Sequence, residues 1–372
     1  SEAGWRRWPP QYRHPDSDAV QRFREDHGDA VDFHCWVQFE LDRQLSETAG
    51  AARAAGLPIG IYGDLAIGSS AGGSDAWAFP DLFAGGANVG APPDEFARRG
   101  QDWGFPPIDP HRLRAQSYGY WVHLLRSAFA HTGALRIDHI MGLFRLYWIP
   151  EGREATEGAY VRYPARDLLG ILALESQRAG ALVIGEDLGT VPRGLAARLA
   201  RWGILSSRVL YFERRGESFR PSKGYSRRAL VTANTHDLAP LAGFLSGRDL
   251  RLRHEVGQIA SDEDLHTQQH QRDRDCAALR RRLVREDLLP SDPAPLQADS
   301  LATAVTGFLC QTPAPLVGLS LDDLVGETEP VNLPGVPASP HRSWTRRRRV
   351  PLDRLLSHPI ARASLEAVPP QR

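Results

Sequence analysis

Short apolar runs alternate with longer amphipathic segments along most of this chain. The apolar runs predict six strands, which end near residues 64, 138, 186, 212, 234 and 321. The segments between and after them predict helices at about 113–131, 166–179, 192–202, 238–247, 251–289 and 301–309. Strands that alternate with helices at these intervals are typical of βαβ units, so the pattern predicts an α/β protein with a parallel sheet.

Two stretches outside this alternation have their own patterns. Ser17 is a predicted N-cap for a helix that starts at Asp18, and apolar residues keep a roughly helical spacing as far as Leu45, with a break expected at 26–29. Residues 65–110 are turn-rich, yet they contain several aromatic side chains. We therefore expect an ordered, functional loop there rather than a disordered one.

Three of the apolar runs end on carboxylates, at Asp138, Glu186 and Asp237. In a barrel of parallel strands the carboxyl ends of the strands face one opening, which holds the active site. Carboxylates that converge there suit a reaction that protonates an oxygen and stabilises a cation. The pattern points to cleavage or transfer of a sugar bond.

A retaining glycosidase needs a carboxylate nucleophile and a carboxylic acid about 5–5.5 Å from it. Asp138, short and fixed on a strand, suits the nucleophile, whereas Glu186 has the reach of a proton donor and a pKa that burial and nearby carboxylates can raise. Asp237 is left to bind sugar hydroxyls and stabilise the transition state. Arg136 lies two residues before Asp138, faces the same way on a strand and is expected to keep Asp138 ionised.

Each of these residues also has a plainer interpretation. An Asp at a strand end often caps a loop, residues 186–189 fit an ordinary strand-to-helix turn, and His236-Asp237 fits a helix N-cap. Tryptophans such as Trp103 belong to a core more often than to a sugar platform, and the arginine run 346–349 is typical of a solvated face.

Composition narrows the class of protein further. The 372 residues carry 45 basic and 45 acidic side chains, which favours neither nucleic acid nor an anionic membrane as a partner. Cys35, Cys276 and Cys310 are far apart, so they predict neither a disulfide framework nor a CxxC metal site. With no apolar run long enough for a membrane span and no visible signal peptide, we expect a cytoplasmic protein.

Three sequence blocks surround the acids, at Arg136–His139, Gly185–Gly189 and Thr235–Leu238. Supporting blocks lie at 63–66, 89–94, 100–107 and 326–335. In these blocks the sequence resembles the 4-α-glucanotransferases (amylomaltase, the disproportionating enzyme), relatives of the α-amylase barrel enzymes. The resemblance runs from about residue 5 to 350 and is closest to the branch typical of bacterial maltodextrin metabolism.

The resemblance implies Asp138 as nucleophile, Glu186 as general acid/base and Asp237 as stabiliser of the transition state. It further implies that Asp64, Arg136 and His236 line the donor-sugar site and that Trp103 shapes the glucan path. From the residues alone, His139 and His236 suit neutral hydrogen-bond donors to sugar hydroxyls. The implied substrates are maltooligosaccharides and α-1,4-glucans, and the implied reaction needs neither a metal nor an organic cofactor.

For the fold, the resemblance implies a (β/α)8 TIM barrel of the α-amylase superfamily type over residues 1–350. Family members hold their first barrel strands before the region that matches residue 5, so strands 3–8 are expected here and the barrel is expected to be incomplete at its N-terminal side. A helical insertion at about 251–310 and a tail at 351–372 complete the predicted organisation. An α-glucan hydrolase of the same superfamily and an inactive fragment remain the alternatives, and the oligomeric state is left open.

Overall fold

The computed structural model describes residues 4–93, 99–292, 296–336 and 343–369. Its contacts divide the chain into two compact units, Ser1–Leu205 and Ser206–Arg372. Each unit contains parallel strands and helices, as the alternation of apolar runs and amphipathic segments predicts.

In the first unit, three strands form a parallel sheet. The helices are α1 Asp18–Asp26, α2 Gly28–Ala54, α3 Ser74–Ala78, α4 Pro110–Ala115, α5 Gly119–Phe129, α6 Ala165–Ala179 and α7 Leu195–Arg201. The strands are β1 Tyr62–Leu65, β2 Ala87–Ala91, β3 Gln101–Asp102, β4 Ala134–Ile137, β5 Arg145–Pro150, β6 Ala159–Arg162 and β7 Leu182–Gly185. β4 pairs in parallel with β1 on one side and β7 on the other, with Arg136 opposite both Asp64 and Ile184.

The sheet packs on α5 and α6 through a core of branched and aromatic side chains. Leu135, Ile137 and Val183 from the strands share this core with Leu125 of α5 and Leu172 of α6. Since alternate residues of a strand point to opposite faces, the burial of Leu135 and Ile137 on the helix side directs Arg136 to the other side of the sheet. The register therefore brings charged side chains of β1 and β4 to one face.

The loop predicted at 65–110 is in part a sheet. β2 and β3 join β5 and β6 in a four-stranded antiparallel sheet of order β3-β2-β5-β6. β2 pairs with β5, whose residues follow it by about sixty positions, so the turn-rich local composition does not indicate this strand. Asp94, the end of one supporting block, lies outside the described residues.

The helical spacing near the N-terminus is confirmed, but its apolar side chains are not all buried. The hydroxyl oxygen of Ser17 accepts from the N–H of Val20, and α1 ends at Asp26, as predicted. In α2, Phe33 and Trp36 are each 56% exposed and Phe39 is 62% exposed. α2 thus presents an apolar stripe on its outer side.

The second unit has its own three parallel strands. Its strands are β8 Leu205–Val209, which starts at the unit boundary, β9 Arg214–Arg215, β10 Ser218–Phe219, β11 Ala229–Thr232 and β12 Leu316–Gly318. Its helices are α8 Leu241–Ser246, α9 Arg248–Glu255, α10 Asp262–Arg285, α11 Ala298–Cys310, α12 Leu352–Leu355 and α13 Pro359–Glu366. β11 pairs in parallel with both β8 and β12. The predicted buried helix at 301–309 is confirmed in α11, whose residues from Leu301 to Leu309 are almost all buried.

Several predicted element limits are wrong. The strand expected to reach 212 ends at Val209 and continues as a short 3₁₀ turn, in which buried Leu210 and Tyr211 preserve the apolar pattern. The helix expected from 192 begins at Leu195, after Gly194 at φ +76°. The charged segment 251–289 forms two helices, because Gly257 at φ +79° ends one and the side chain of Ser261 caps the next.

Within the described ranges, no helix is both long enough and apolar enough to cross a membrane.

Candidate active site

Arg136 joins two carboxylates at the ends of β1 and β4. Its Nη1 donates to Asp64 at 2.8 Å from Oδ1 and 3.0 Å from Oδ2, and its Nη2 lies 2.8 Å from Asp138 Oδ1. The arginine side chain is 14% exposed, against 48% for Asp64 and 31% for Asp138. One nearly buried guanidinium thus orients two accessible carboxylates.

Arg136 stays positively charged although its side chain is nearly buried. Burial opposes it, but the carboxylates of Asp138 and Asp64 outweigh burial and raise the pKa of the guanidinium above its ordinary value. The predicted ion pair between Arg136 and Asp138 is therefore present, with Asp64 as a second anion on the same cation.

Glu186 follows β7 and is buried, with 8% of its surface exposed. Its Oε2 accepts from the N–H of His139 at 3.0 Å, and its Oε1 accepts from the N–H of Leu188 at 2.5 Å. Burial raises the pKa of Glu186 to about 7, the Leu188 N–H opposes that rise, and the charge of Asp138 adds to it. Glu186 can therefore hold a proton near neutral pH while Arg136 supports the charge of Asp138.

His139 lies beside both acids in a left-handed backbone conformation, at φ +45°. For a non-glycine residue this costs on the order of 1–3 kcal/mol, and such strain concentrates at functional sites. Trp103 meets its ring edge to face, with centroids 5.3 Å apart, and Trp103 stacks in turn on Phe105. Burial lowers the pKa of His139 to about 4, so the imidazole is neutral near pH 7 and available as a hydrogen-bond donor.

A cavity of about 240 Å³ lies next to Asp138 and His139 within the first unit. Its walls are largely apolar and come from the ends of β1 and β4, helix α5 and the segments after β3 and β6; they include Leu65, Phe105, Trp121, Ile137 and Tyr163. Asp138 and His139 thus border a largely apolar cavity.

In the second unit, Asp237 lies in the segment between β11 and α8. Asn332 Nδ2 donates to its Oδ1 at 2.6 Å, and His236 Nε2 lies 3.4 Å from its Oδ2. The carboxylate is 41% exposed. Because α8 begins only at Leu241, the interpretation of Asp237 as a helix N-cap is wrong.

A buried carboxylate holds this segment at both ends. Asp323 accepts from Asn234 Nδ2 at 2.8 Å and from the N–H of Leu241 at 2.7 Å. Burial raises the pKa of Asp323 to about 7, and the two donors oppose that rise. Since Asn234 precedes Asp237 and Leu241 follows it, Asp323 limits the movement of the intervening chain.

The structure thus brings Asp64, Trp103, Arg136, Asp138, His139 and Glu186 together in the first unit and His236 with Asp237 in the second. Asn332 belongs to the block at 326–335, but no local pattern indicates its contact with Asp237. The arginine run is not uniformly solvated: Arg346 is 18% exposed and pairs with Asp322 and Glu327. Both acids precede Arg346 by about twenty positions, so the arginine run itself does not indicate these ion pairs.

In the part of the chain that the structure describes, no group of three or more His, Cys, Asp or Glu side chains is arranged to hold a metal ion. The three cysteines are free thiols.

A profile of the glycoside hydrolase family 77, described as 4-alpha-glucanotransferase, matches residues 1–352. A 4-alpha-glucanotransferase of Mycobacterium tuberculosis is 42% identical over 353 residues, which are 94% of this chain and 48% of the relative. That of Haemophilus influenzae is 36% identical over 363 residues, covering 95% and 51% of the two chains. The chain therefore spans about half the length of the curated relatives it matches.

Solved structures agree on the fold. Amylomaltase from Corynebacterium glutamicum superposes with a TM-score of 0.87 at 33% identity, over 92% of this chain and 50% of that one. Amylomaltase from Streptococcus agalactiae, solved with acarbose, superposes with a TM-score of 0.77 at 20% identity, over 98% of this chain and 68% of that one. This second likeness supports the fold alone. The protein accordingly has an α/β, TIM-barrel-like fold, as predicted from the sequence.

Proposed function

The chain belongs to the 4-alpha-glucanotransferases of glycoside hydrolase family 77, and on that premise we propose that it transfers α-1,4-glucan segments between maltooligosaccharides. The observation that carries the proposal is the pair at the ends of β4 and β7. Asp138 is supported as an anion by Arg136, while Glu186 beside it has a pKa of about 7. A charged nucleophile next to a protonated acid is what the first step of a retaining mechanism requires.

In the first half of the proposed reaction, Asp138 attacks the anomeric carbon of a donor glucan. Glu186 gives its proton to the departing glycosidic oxygen, so a glucosyl ester forms on Asp138 and a shortened glucan with a free 4-hydroxyl leaves. Loss of the Asp138 charge on ester formation removes one of the influences that raise the pKa of Glu186. Glu186 then becomes the stronger acid and remains ionised more readily, as its next role requires.

In the second half, the 4-hydroxyl of an acceptor glucan attacks the same anomeric carbon. Glu186 takes the hydroxyl proton, the ester bond to Asp138 breaks, and a new α-1,4 bond forms with retained configuration. Arg136 stabilises the released carboxylate through the contact it makes in the free protein.

Other polar groups supply binding in this proposal. Asp64, on the same guanidinium as Asp138, and neutral His139 suit the hydroxyls of the donor sugar, while Trp103 beside His139 offers an aromatic edge to the glucan. Asp237, with His236 next to it, is proposed to hold hydroxyls of the sugar that bears the developing positive charge.

We also propose that further strand–helix elements complete the barrel beyond β1 in the working enzyme. An eightfold barrel needs a neighbour on each side of every strand, and the apolar stripe of α2 suits a covering helix. The greater length of the relatives supports the same view. Hydrogen exchange tests it: amides of β1 and α2 that exchange as slowly as those of β4 in this chain alone would contradict it. The free thiols are consistent with a cytoplasmic location, which we propose as well.

Incubation with maltotriose tests the proposed activity. Transfer yields glucose together with maltodextrins longer than maltotriose, and Asp138→Asn abolishes both. Products that are all shorter than maltotriose would support the rival function, α-glucan hydrolysis with the same acids. No products at all would support an inactive chain, and full activity of Asp138→Asn would show that the nucleophile is misassigned.

A further inference from the structure

The segment after residue 342 places an exposed tryptophan next to His236. Trp344 is 61% exposed, yet its ring packs on the imidazole of His236 with centroids 5.1 Å apart and planes inclined by 48°. His236 in turn contacts Asp237. An indole face, an imidazole and a carboxylate therefore lie side by side on the surface of the second unit.

The backbone of Trp344 is strained. It has φ +65°, in the left-handed region that bulky residues rarely adopt. Such a conformation costs on the order of 1–3 kcal/mol and persists where the surroundings impose it. Here the surroundings are the block at 326–335, because the N–H of Trp344 donates to the carbonyl of Val331 at 2.8 Å and Ser343 Oγ accepts from the N–H of Leu333 at 3.1 Å.

Ion pairs anchor the chain immediately after Trp344. Arg346 pairs with Asp322 and with the nearly buried Glu327, and the N–H of Arg349 donates to Glu327 Oε1 at 2.8 Å. The backbone is thus held on both sides of Trp344, although the side chain itself is 61% exposed. A large apolar ring that is held in place without being buried is available to a ligand at little further cost in conformational entropy.

We propose that Trp344 is a glucan-binding platform, on which the apolar face of a glucose ring stacks while its hydroxyls reach His236 and Asp237. The proposal rests on the function proposed above and adds a binding residue to it. Pyranose rings carry their C–H groups on their faces and their hydroxyls at their edges. A flat aromatic surface bordered by a carboxylate and an imidazole matches both parts of such a ring.

Trp344→Phe and Trp344→Ala test the proposal, with Trp202→Phe as the matched control. Trp202 is also a partly exposed tryptophan, 37% exposed, but it follows α7 in the first unit, whereas Trp344 lies beside His236 in the second. We expect Trp344→Ala to weaken maltoheptaose binding, measured by calorimetry, by about tenfold, the equivalent of about 1.4 kcal/mol. Trp344→Phe keeps a smaller aromatic ring, so we expect it to lose less affinity for maltoheptaose than Trp344→Ala does. The control, Trp202→Phe, should bind maltoheptaose as tightly as the unaltered protein.

Two further readouts separate binding from folding and from turnover. Maltoheptaose should quench tryptophan fluorescence in the unaltered protein and in Trp202→Phe, and a distinct part of that quenching should be missing in Trp344→Phe. In turnover of maltotriose, Trp344→Ala should raise KM more than it lowers kcat. Equal affinity and equal quenching for Trp344→Phe and Trp202→Phe would overturn the proposal, whereas a protein that binds maltoheptaose through Trp344 but forms no products would contradict only the proposed transferase activity.

Discussion

Replacement of Glu186 by glutamine should remove a specific pH dependence from the stability of the protein. Glutamine keeps the shape of a protonated glutamate but cannot ionise. Burial raises the pKa of Glu186 from 4.5 to about 7. At about 1.4 kcal/mol per pH unit, this rise corresponds to about 3 kcal/mol of free energy that favours the protonated carboxyl in the folded protein.

The sign of the effect follows from which state holds the proton. Below about pH 4.5 Glu186 is protonated in both the folded and the unfolded protein, and its contribution is fully present. Between about pH 4.5 and 7 the folded protein keeps the proton while the unfolded chain releases it, so the free energy of unfolding falls as pH rises. Above about pH 7 the stabilising contribution of Glu186 has been lost. The Glu186→Gln protein has no carboxyl at this position, so its stability does not change with pH for this reason.

Urea denaturation of both proteins between about pH 4 and 8 measures this effect. The free energy of unfolding of the unaltered protein should fall by about 3 kcal/mol relative to that of Glu186→Gln across the range. Asp323, whose pKa is also raised to about 7, is present in both proteins and cancels in the difference. Glu151→Gln, at an exposed position of the same unit, is the control and should show no such difference. A difference between Glu186→Gln and the unaltered protein that is independent of pH would refute the reasoning.

Three other substitutions follow from contacts in the structure. Asn332→Ala should lower kcat with maltotriose at least about tenfold, because Asp237 loses a hydrogen-bond donor at 2.6 Å, while the free energy of unfolding should change by less than about 1 kcal/mol. An unchanged kcat would contradict a role for this contact in the reaction. Arg272→Met should destabilise by about 3–5 kcal/mol in urea, since it leaves the buried carboxylate of Asp249 unpaired, and adding Asp249→Leu should restore most of the loss. Gly133→Ala should cost about 1–3 kcal/mol in the same assay, because the new methyl carbon would lie 1.8 Å from a backbone oxygen before β1; a neutral effect would mean that this approach relaxes easily.

The parallel strands and the acids at their ends were predictable because both depend on local patterns. The runs that end at Asp138 and Glu186 are short, apolar and bounded by polar residues, and these features also define a buried strand. Arg136 was predictable from the two-residue period of a strand, and its contact with Asp138 agrees.

Features that depend on distant partners were not predictable. β2 lies in a turn-rich stretch, and its pairing with β5 joins residues about sixty positions apart, which no local pattern records. The contact of Asn332 with Asp237 likewise spans 95 positions. Trp344 acquires its place beside His236 through a backbone conformation that the sequence disfavours, so propensity alone argues against it.

The central claim, that Asp138 forms a covalent bond with the sugar while Glu186 manages the proton, is tested most directly with the Glu186→Gln protein and α-maltosyl fluoride. Fluoride leaves without help from an acid, so the ester should form, whereas its breakdown by an acceptor lacks the base and is slow. Mass spectrometry of the digested protein should find the peptide that contains Asp138 heavier by one maltosyl group. A maltosyl group on a different residue, or turnover of the fluoride without any labelled peptide, would contradict the account.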